Sequence, residues 1–163
     1  MMGAGKTTLG RRLAAETGRE FLDLDREIER RTGVTVATIF EIEGEAGFRL
    51  REMQLLAEVA PRSGLVIATG GGVVMNPINR ARLLACRCVV YLHAQPALIY
   101  ARVRHDRSRP LLQVADPLAR ITQLVAQRDP LYREVADLVV ESGREAAAIV
   151  NELKQLLPSP CRD

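Results

Sequence analysis

The first ten residues, Met1–Gly10, read "MMGAGKTTLG" and point to the fold class of this chain. Two glycines precede a lysine and two threonines, the order found where a backbone loop surrounds phosphate oxygens. Glycine is needed there because a side chain would block the approach of the N–H groups, and because some positions require a positive φ. The lysine reaches the outer phosphates and the next hydroxyl coordinates Mg²⁺. The pattern predicts a nucleotide site formed by Gly3, Ala4, Gly5, Lys6, Thr7 and Thr8, with Thr7 on the metal.

This pattern is complete in its second half only. The full phosphate-loop pattern is G-x-x-x-x-G-K-[ST], and counting back from Gly5 places its first glycine one position before Met1. Such a loop normally follows a buried strand, whereas two methionines stand before it in this sequence. We expect translation to begin upstream of Met1, and a chain that lacks its central strand is the alternative. A further interpretation is that these glycines only cap the first helix.

The composition argues against several classes of protein. With 163 residues, 47% of them hydrophobic and 26% charged, the chain has the size and composition of one globular domain. No apolar run reaches the ~20 residues that span a bilayer, and no signal-peptide pattern is present. Three cysteines, an odd number, do not favour a disulfide framework. A net charge of +3 is too small to favour nucleic-acid binding. We expect a cytoplasmic protein with reduced thiols and without a membrane or nucleic-acid partner.

Short apolar segments alternate with helical patterns along the chain. Four of them have the pattern of strands: "REFLDLD" (19–25), "GLVIATGGG" (64–72), "CVVYLHA" (88–94) and "DLVVES" (137–142). Helices are predicted between them, with Lys6–Thr17 as the first and two separate helices at Thr35–Ile42 and 44–60. Alternating strands and helices predict a parallel sheet covered on both faces. We predict one three-layer α/β domain over residues 1–163, with a fifth strand missing before the phosphate loop.

Several polar groups are expected at the same edge of this sheet. Asp23 and Asp25 come at the end of the first predicted strand, where open α/β sheets bind ligands. Asp25 could equally cap the helix that follows, a position that aspartate favours. The three glycines Gly70, Gly71 and Gly72 follow a buried strand and would let a ligand approach the backbone closely, or form a plain turn. The polar segment 104–116, rich in arginine, has the composition of a mobile lid or of a solvated loop.

Six blocks of the sequence together resemble the shikimate kinase family. In order they are "GAGKTT" (3–8), "FLDLD" (21–25), "GEAGFRLRE" (44–52), "ATGGGVV" (68–74), "RPLL" (109–112) and "RDPLYREVA" (128–136). The resemblance implies a phosphate-loop kinase of the nucleoside-monophosphate-kinase-like branch, with the strand order 2-3-1-4-5 and its central first strand absent here. It also implies ATP- and Mg²⁺-dependent phosphorylation of the 3-hydroxyl of shikimate, on the route to aromatic amino acids. We expect a monomer.

The same resemblance assigns roles to residues near the substrate. It implies that Asp25 binds and orients the acceptor hydroxyl or takes its proton, and that Asp23 helps to hold Mg²⁺ through water. Arg49 and Arg128 would bind the carboxylate of shikimate, for which the arginine fork is suited. Because arginine is abundant in this chain, most arginines are expected to lie on the solvated surface. Gly70–Gly72 would donate backbone N–H groups to substrate hydroxyls.

Three further arginines are assigned to the nucleotide. Arg109, in the predicted lid, resembles the arginine of the family that contacts the transferring phosphoryl group, and it joins Lys6 and Asp25 as a predicted catalytic residue. Arg102 stands where the family packs a guanidinium against adenine. Arg144, after the last strand, could cover the base, although the proline that the family often has there is missing.

Two other functions remain open at this point. The first is another small-molecule kinase of the same branch, such as a gluconate or nucleotide kinase. The second is a truncated nucleotide-binding protein without catalysis, suggested by the incomplete phosphate loop. A nucleic-acid role rests on arginine content alone, which the acidic residues nearly offset.

Overall fold

The computed structural model describes residues 1–104, 112 and 114–157. Four strands lie within these residues, namely β1 (Glu20–Asp23), β2 (Leu65–Ala68), β3 (Val90–His93) and β4 (Leu138–Glu141). The α-helices of the same part are α1 (Lys6–Thr17), α2 (Leu24–Thr32), α3 (Val36–Val59), α4 (Pro77–Leu84), α5 (Pro96–Val103), α6 (Pro117–Val135) and α7 (Ala146–Leu156). All four predicted strands are present, and helices alternate with them.

The strands form two parallel pairs. β1 pairs with β2 in a register that aligns Asp23 with Ala68. β3 pairs with β4 in a register that aligns His93 with Glu141. Parallel strands joined by helices confirm the predicted α/β class. Because all four strands run in parallel within their pairs, loops that follow β1 and β2 meet at one edge of the sheet.

A cavity of about 600 Å³ separates the two pairs. Leu65–Ala68 of β2 and Val90–Leu92 of β3 line it, together with Met1 and Leu9. In the part of the chain that the structure describes, no strand lies between β2 and β3. Each of these strands therefore has one edge without a strand partner there, and unpaired buried backbone groups cost about 1–3 kcal/mol each.

The bounds of β1 and α2 differ from the prediction. Asp23 caps α2, because its Oδ1 accepts hydrogen bonds from the backbone nitrogens of Asp25 (3.1 Å) and Arg26 (3.4 Å). β1 therefore ends at Asp23, two residues before the predicted end, and Asp25 lies in the first turn of α2. The alternative interpretation of Asp25 as the helix cap is wrong, since Asp23 has that role.

The two helices predicted between residues 35 and 60 are present and meet at a kink. α3 runs from Val36 to Val59 and contains a non-helical residue, Gly44, with φ 69° and ψ −178°. Glycine is the residue that tolerates this positive φ. The sequence therefore placed the break between the two helical segments correctly.

The core is built on the inward faces of these helices. Leu9 and Leu13 of α1 are buried, as are Ile149, Val150 and Leu153 of α7. α1 packs against both strands of the first pair and against α7. Among the described residues, no helix is both long and apolar enough to cross a membrane.

Candidate active site

The phosphate loop has the backbone geometry that its glycines predict. Gly3 and Gly5 have φ values of 66° and 90°, in the left-handed region. A Cβ on Gly3 would lie 2.7 Å from Cγ1 of Val103, so that close packing also requires glycine there. α1 begins at Lys6, and its first backbone N–H groups provide the positive end of the helix. The Nζ of Lys6 donates a hydrogen bond of 2.5 Å to the carbonyl of Met1 and lies over the loop.

The structure brings the two predicted metal-binding residues together. The hydroxyl of Thr7 donates a 2.7 Å hydrogen bond to Oδ2 of Asp23. The other carboxylate oxygen of Asp23 caps α2, so this side chain is held from both sides. A hydroxyl and a carboxylate beside a phosphate loop are the hard oxygen donors that Mg²⁺ prefers, and this ion usually keeps several waters. The donor set therefore fits Mg²⁺.

Two carboxylates face Gly70 at the start of the glycine loop. A Cβ on Gly70 would lie 2.5 Å from Oε1 of Glu52 and 3.0 Å from Oδ1 of Asp25. Glu52 is completely buried, and within the described residues its Oε1 has no hydrogen-bond partner. Burial raises the pKa of Glu52, although Arg49 acts in the opposite direction. Asp25 therefore sits beside a second acidic group that the sequence had not singled out.

Glu52 could have been recognised from its distance to Arg49 along the chain. Residues three apart on a helix lie on the same face. Nη1 of Arg49 donates to Oε2 of Glu52 at 2.9 Å, and Nη2 donates to Oε1 of Glu45 at the same distance. Burial lowers the pKa of Arg49, but Glu52 and Glu45 together raise it above its ordinary value. The two carboxylates thus keep the guanidinium charged and fix its direction.

Arg49 also lies against the backbone of the glycine loop. A Cβ on Gly72 would lie 2.2 Å from Nη2 of Arg49. The same guanidinium is 5.2 Å from the ring centroid of Phe48, within the range of a cation–π contact. Any side chain at position 72 would displace the guanidinium from the place where Glu52 and Glu45 hold it.

Arg128 of α6 is the second predicted carboxylate-binding residue. It is 4% exposed, and its Nη1 donates a 3.1 Å hydrogen bond to the carbonyl of Gly71. Its Nε is buried and has no hydrogen-bond partner among the described residues. A buried N–H group of a guanidinium without an acceptor is costly, and an anionic ligand would satisfy it.

The glycine loop joins these groups to the phosphate loop. A Cβ on Gly71 would lie 3.2 Å from the backbone nitrogen of Met2. Gly70, before it, lies against the carboxylates of Asp25 and Glu52, and Gly72, after it, lies against Arg49. Asp25, Arg49, Arg128 and the two residues that precede the phosphate loop therefore meet around three consecutive glycines. This convergence was predicted from residues that lie far apart in the sequence.

Comparisons with known proteins agree with this geometry. The family model described as "Shikimate kinase" matches residues 2–158. This chain belongs to the shikimate kinase family. The shikimate kinase of Aromatoleum aromaticum is 60% identical over 144 residues, which are 88% of this chain and 82% of that protein. That of Dechloromonas aromatica is 56% identical over 148 residues, or 91% of this chain and 81% of the relative.

A solved structure extends the comparison to three dimensions. The shikimate kinase of Acinetobacter baumannii, solved in complex with shikimate, superposes with a TM-score of 0.93 at 48% identity. The alignment covers 99% of this chain and 91% of that one. Membership of the shikimate kinase family makes this chain a kinase that uses ATP as its phosphate donor. It also places the chain in aromatic amino acid biosynthesis.

Arg102 connects the phosphate loop to the end of β4. Its Nη1 donates to the carbonyl of Gly3 at 3.1 Å, and its Nη2 donates to the carbonyl of Ser142 at 2.8 Å. The side chain is thus held next to the loop in which the shikimate kinase family binds ATP. Its predicted contact with adenine stays a prediction.

The other predicted nucleotide residues differ in how the structure places them. Arg144 pairs with Glu152 of α7 at 2.5 Å and is about half exposed, so its role at the base stays a prediction. Ala4 is fully buried in the phosphate loop, while Thr8 is exposed in the first turn of α1. Arg109, together with most of the predicted lid 104–116, lies outside the described residues.

Proposed function

We propose that this chain transfers the γ-phosphoryl group of ATP to the 3-hydroxyl of shikimate, giving shikimate 3-phosphate. The observation that supports this most directly is the arrangement around Gly70–Gly72. One carboxylate, Asp25, and two guanidinium groups, of Arg49 and Arg128, meet there beside the phosphate loop. A polyol that carries a carboxylate has the complementary groups for such a site.

The carboxylate of the substrate would be bound by the two arginines. Arg128 has a buried Nε without an acceptor in the described part of the chain, and its Nη1 is already bound to Gly71. Arg49 is oriented by Glu52 and Glu45 and is one-fifth exposed, so that it can reach a ligand. Arginine binds carboxylates through two parallel hydrogen bonds, which also fixes the orientation of the ring.

Asp25 would act on the hydroxyl that is phosphorylated. It lies at the start of α2 and faces Gly70, next to the loop that holds the phosphates. A carboxylate in this place accepts a hydrogen bond from the hydroxyl, orients its oxygen and takes its proton as the bond to phosphorus forms. Glu52, whose pKa is raised by burial, lies beside Asp25 and binds Arg49 rather than the substrate.

The nucleotide would be bound by the phosphate loop and its neighbours. Residues Gly3–Thr8 supply backbone N–H groups, and Lys6 neutralises the outer phosphates. Thr7 would coordinate Mg²⁺ directly and Asp23 through water; bound there, the ion neutralises charge on the phosphates. Arg102 would pack against adenine, and Arg109 and Arg144 would complete the nucleotide side.

The remaining properties follow from the same proposal. Residues 1–163 would form a single domain with its lid around 104–116. The enzyme would be a cytoplasmic monomer without a nucleic-acid or membrane partner. Light scattering after size-exclusion chromatography tests the oligomeric state, since a dimer would have twice the mass of 18.0 kDa.

Replacement of the proposed base tests the function. Asp25→Asn should lower turnover with shikimate by roughly 10²- to 10⁴-fold, because the hydroxyl loses its proton acceptor. The Kd for shikimate, measured by titration calorimetry, should change much less, since both arginines remain. Asp116→Asn is the matched control, because Asp116 caps α6 through the backbone nitrogen of Ala119, away from Asp25, Arg49 and Arg128 in the sequence.

Three substrates separate the competing functions. A coupled assay with shikimate, gluconate and nucleoside monophosphates should show turnover with shikimate alone. Turnover with gluconate or a nucleotide alone would assign the site to another kinase of the branch. Binding of ATP without turnover of any of the three would favour the non-catalytic nucleotide-binding protein.

A further inference from the structure

The carbonyl of Gly71 is bound from two directions by the same helix. Nη1 of Arg128 donates to it at 3.1 Å, and the hydroxyl of Tyr132 donates a second, short hydrogen bond. The two donors lie four residues apart on α6 and therefore on one face of the helix. A carbonyl oxygen has two lone pairs, and both are occupied here. The position of the glycine loop relative to Arg128 thus depends on a tyrosine hydroxyl.

Tyr132 is well suited to remain a donor. Its side chain is 7% exposed. Burial raises the pKa of Tyr132 to about 12, against the effect of Arg128. The phenol therefore stays protonated over the whole range in which the enzyme would work, and it can donate to the carbonyl of Gly71, the nearer of its two acceptors; the other is Sδ of Met1 at 3.5 Å.

A second tyrosine fixes the ring of the first. The rings of Tyr91 and Tyr132 are stacked, with centroids 4.7 Å apart and an interplanar angle of 28°. The hydroxyl of Tyr91 donates to Oδ1 of Asp129 at 2.9 Å, and Oδ2 of Asp129 accepts from Nε of Arg133 at 2.7 Å. Tyr91 of β3 is thereby bonded to Asp129, the residue that follows Arg128 on α6. The ring of Tyr91 cannot tilt without breaking this hydrogen bond.

We propose that Tyr132 is a positioning residue for shikimate: it holds the Gly71 carbonyl so that the glycine loop and Arg128 stay in register, and Tyr91 supports it. The inference rests on the proposed function, because Arg128 is taken to bind the substrate carboxylate. Tyr132 touches neither the phosphates nor the reacting hydroxyl in this arrangement. Its effect is on the free energy of substrate binding rather than on the chemical step.

Removal of the hydroxyl alone tests the inference. Tyr132→Phe keeps the stacked ring and removes the hydrogen bond to Gly71, together with the weaker 3.5 Å contact between the same hydroxyl and Sδ of Met1. The Kd for shikimate from calorimetry, and the KM for shikimate where turnover is measured, should rise by about 3- to 10-fold, the range expected for one net hydrogen bond. The kcat and the KM for ATP should stay within about twofold of the parent values, because Tyr132 touches neither the phosphates nor the reacting hydroxyl. A structural defect would not produce this split.

Two further variants make the test specific. Tyr91→Phe breaks the bond to Asp129 and should raise the Kd for shikimate less than Tyr132→Phe does, because the Gly71 bond remains. Tyr100→Phe, a half-buried tyrosine of α5, is the matched control and should change nothing. The shift of the thermal unfolding midpoint on addition of shikimate should be smaller for Tyr132→Phe than for the parent.

The outcomes separate this inference from the proposed function. If the parent chain binds no shikimate, the proposed function fails. If the parent and Tyr132→Phe bind shikimate with equal Kd, the inference alone is overturned. It is also overturned if the KM for ATP rises as much as that for shikimate, or if Tyr100→Phe has the same effect.

Discussion

Thr7 and Asp23 are joined by a hydrogen bond of 2.7 Å although they are sixteen positions apart in the chain. The bond links the first turn of α1 to the end of β1, so that the hydroxyl next to the phosphate-loop lysine faces a carboxylate. Because the second oxygen of Asp23 caps α2, one side chain positions both the hydroxyl proposed to bind Mg²⁺ and the start of the helix that carries Asp25.

Neutralisation of Asp23 should weaken the use of Mg²⁺ without unfolding the protein. Asp23→Asn removes the charge but keeps a good helix cap, so the free energy of unfolding should change by less than about 1 kcal/mol. The Mg²⁺ concentration for half-maximal activity should rise roughly 10- to 100-fold, as for other groups that support a metal. Asp116→Asn, at the cap of α6, is the control. If Asp23→Asn and Asp116→Asn need the same Mg²⁺ concentration, Asp23 does not help to bind the metal.

A methyl group on Gly72 should displace Arg49. The added Cβ would lie 2.2 Å from Nη2 of Arg49, and Gly72 has a φ of −98°, so the backbone itself is not strained. Gly72→Ala should therefore raise the KM for shikimate by about 10- to 100-fold, the effect of a misplacement of around 1 Å. The thermal midpoint should change little. Gly143→Ala, whose Cβ would lie 3.4 Å from Leu98, is the control, and an unchanged KM in Gly72→Ala would argue against Arg49 as a ligand.

The buried Glu52 should make the protein more stable as the pH falls toward 4.5. Burial raises the pKa of Glu52 in the folded protein above the ordinary value of 4.5, which applies to the unfolded chain. At a pH between the unfolded and the folded pKa, the folded protein therefore binds more protons than the unfolded chain. The stabilising contribution of the protonated form is complete below about pH 4.5 and is lost as the pH rises through the folded pKa. The free energy of unfolding of the parent should accordingly increase, relative to Glu52→Gln, as the pH falls from 7 toward 4.5.

Urea unfolding at several pH values measures this difference. Glu58→Gln is the control, because Arg31 lowers the pKa of the exposed Glu58, so that its stabilising contribution is lost only as the pH falls below about 4.5. A parent and a Glu52→Gln variant with parallel pH dependence would show that Glu52 is not perturbed.

The cavity between β2 and β3 should accept an added strand. Burial lowers the pKa of the Met1 amine, which lies at this cavity. An extension Val-Ile-Val-Leu-Gly joined to Met1 is apolar on both faces, as a central parallel strand must be. We expect it to raise the thermal midpoint by about 5 °C or more, because it pairs two strand edges and fills the cavity. A Gly-Ser-Gly-Ser-Gly extension is the control; equal midpoints for the two would show that the cavity does not take a strand.

The local features of this protein could be predicted from short stretches of sequence. The phosphate loop depends on glycines and a lysine within six positions, so its geometry at Gly3 and Gly5 was evident from the pattern. The helix over Lys6–Thr17 and the break at Gly44 likewise follow from apolar periodicity and from the conformational range of glycine.

The wrong prediction for the end of β1 results from competition between this strand and the helix that follows it. β1 was predicted to continue to Asp25, because leucine and aspartate alternate there. The cap formed by Asp23 ends the strand earlier, since a side chain that bonds to the next backbone N–H groups favours the helix. Glu52 was missed for a different reason: its spacing to Arg49 predicts that the two side chains share a helix face, but it does not predict that Glu52 is fully buried beside Asp25.

From the order of residues alone one could infer the α/β class, the phosphate loop and the family, because these depend on contacts within a few positions or on motifs in a given order. The folded chain was needed to see that Arg128 and Tyr132 bind one carbonyl, across 57 and 61 positions of sequence, and that a cavity separates the strand pairs. Contacts over such distances depend on how helices and strands pack, and packing is a property of the assembled core that no single stretch of sequence contains.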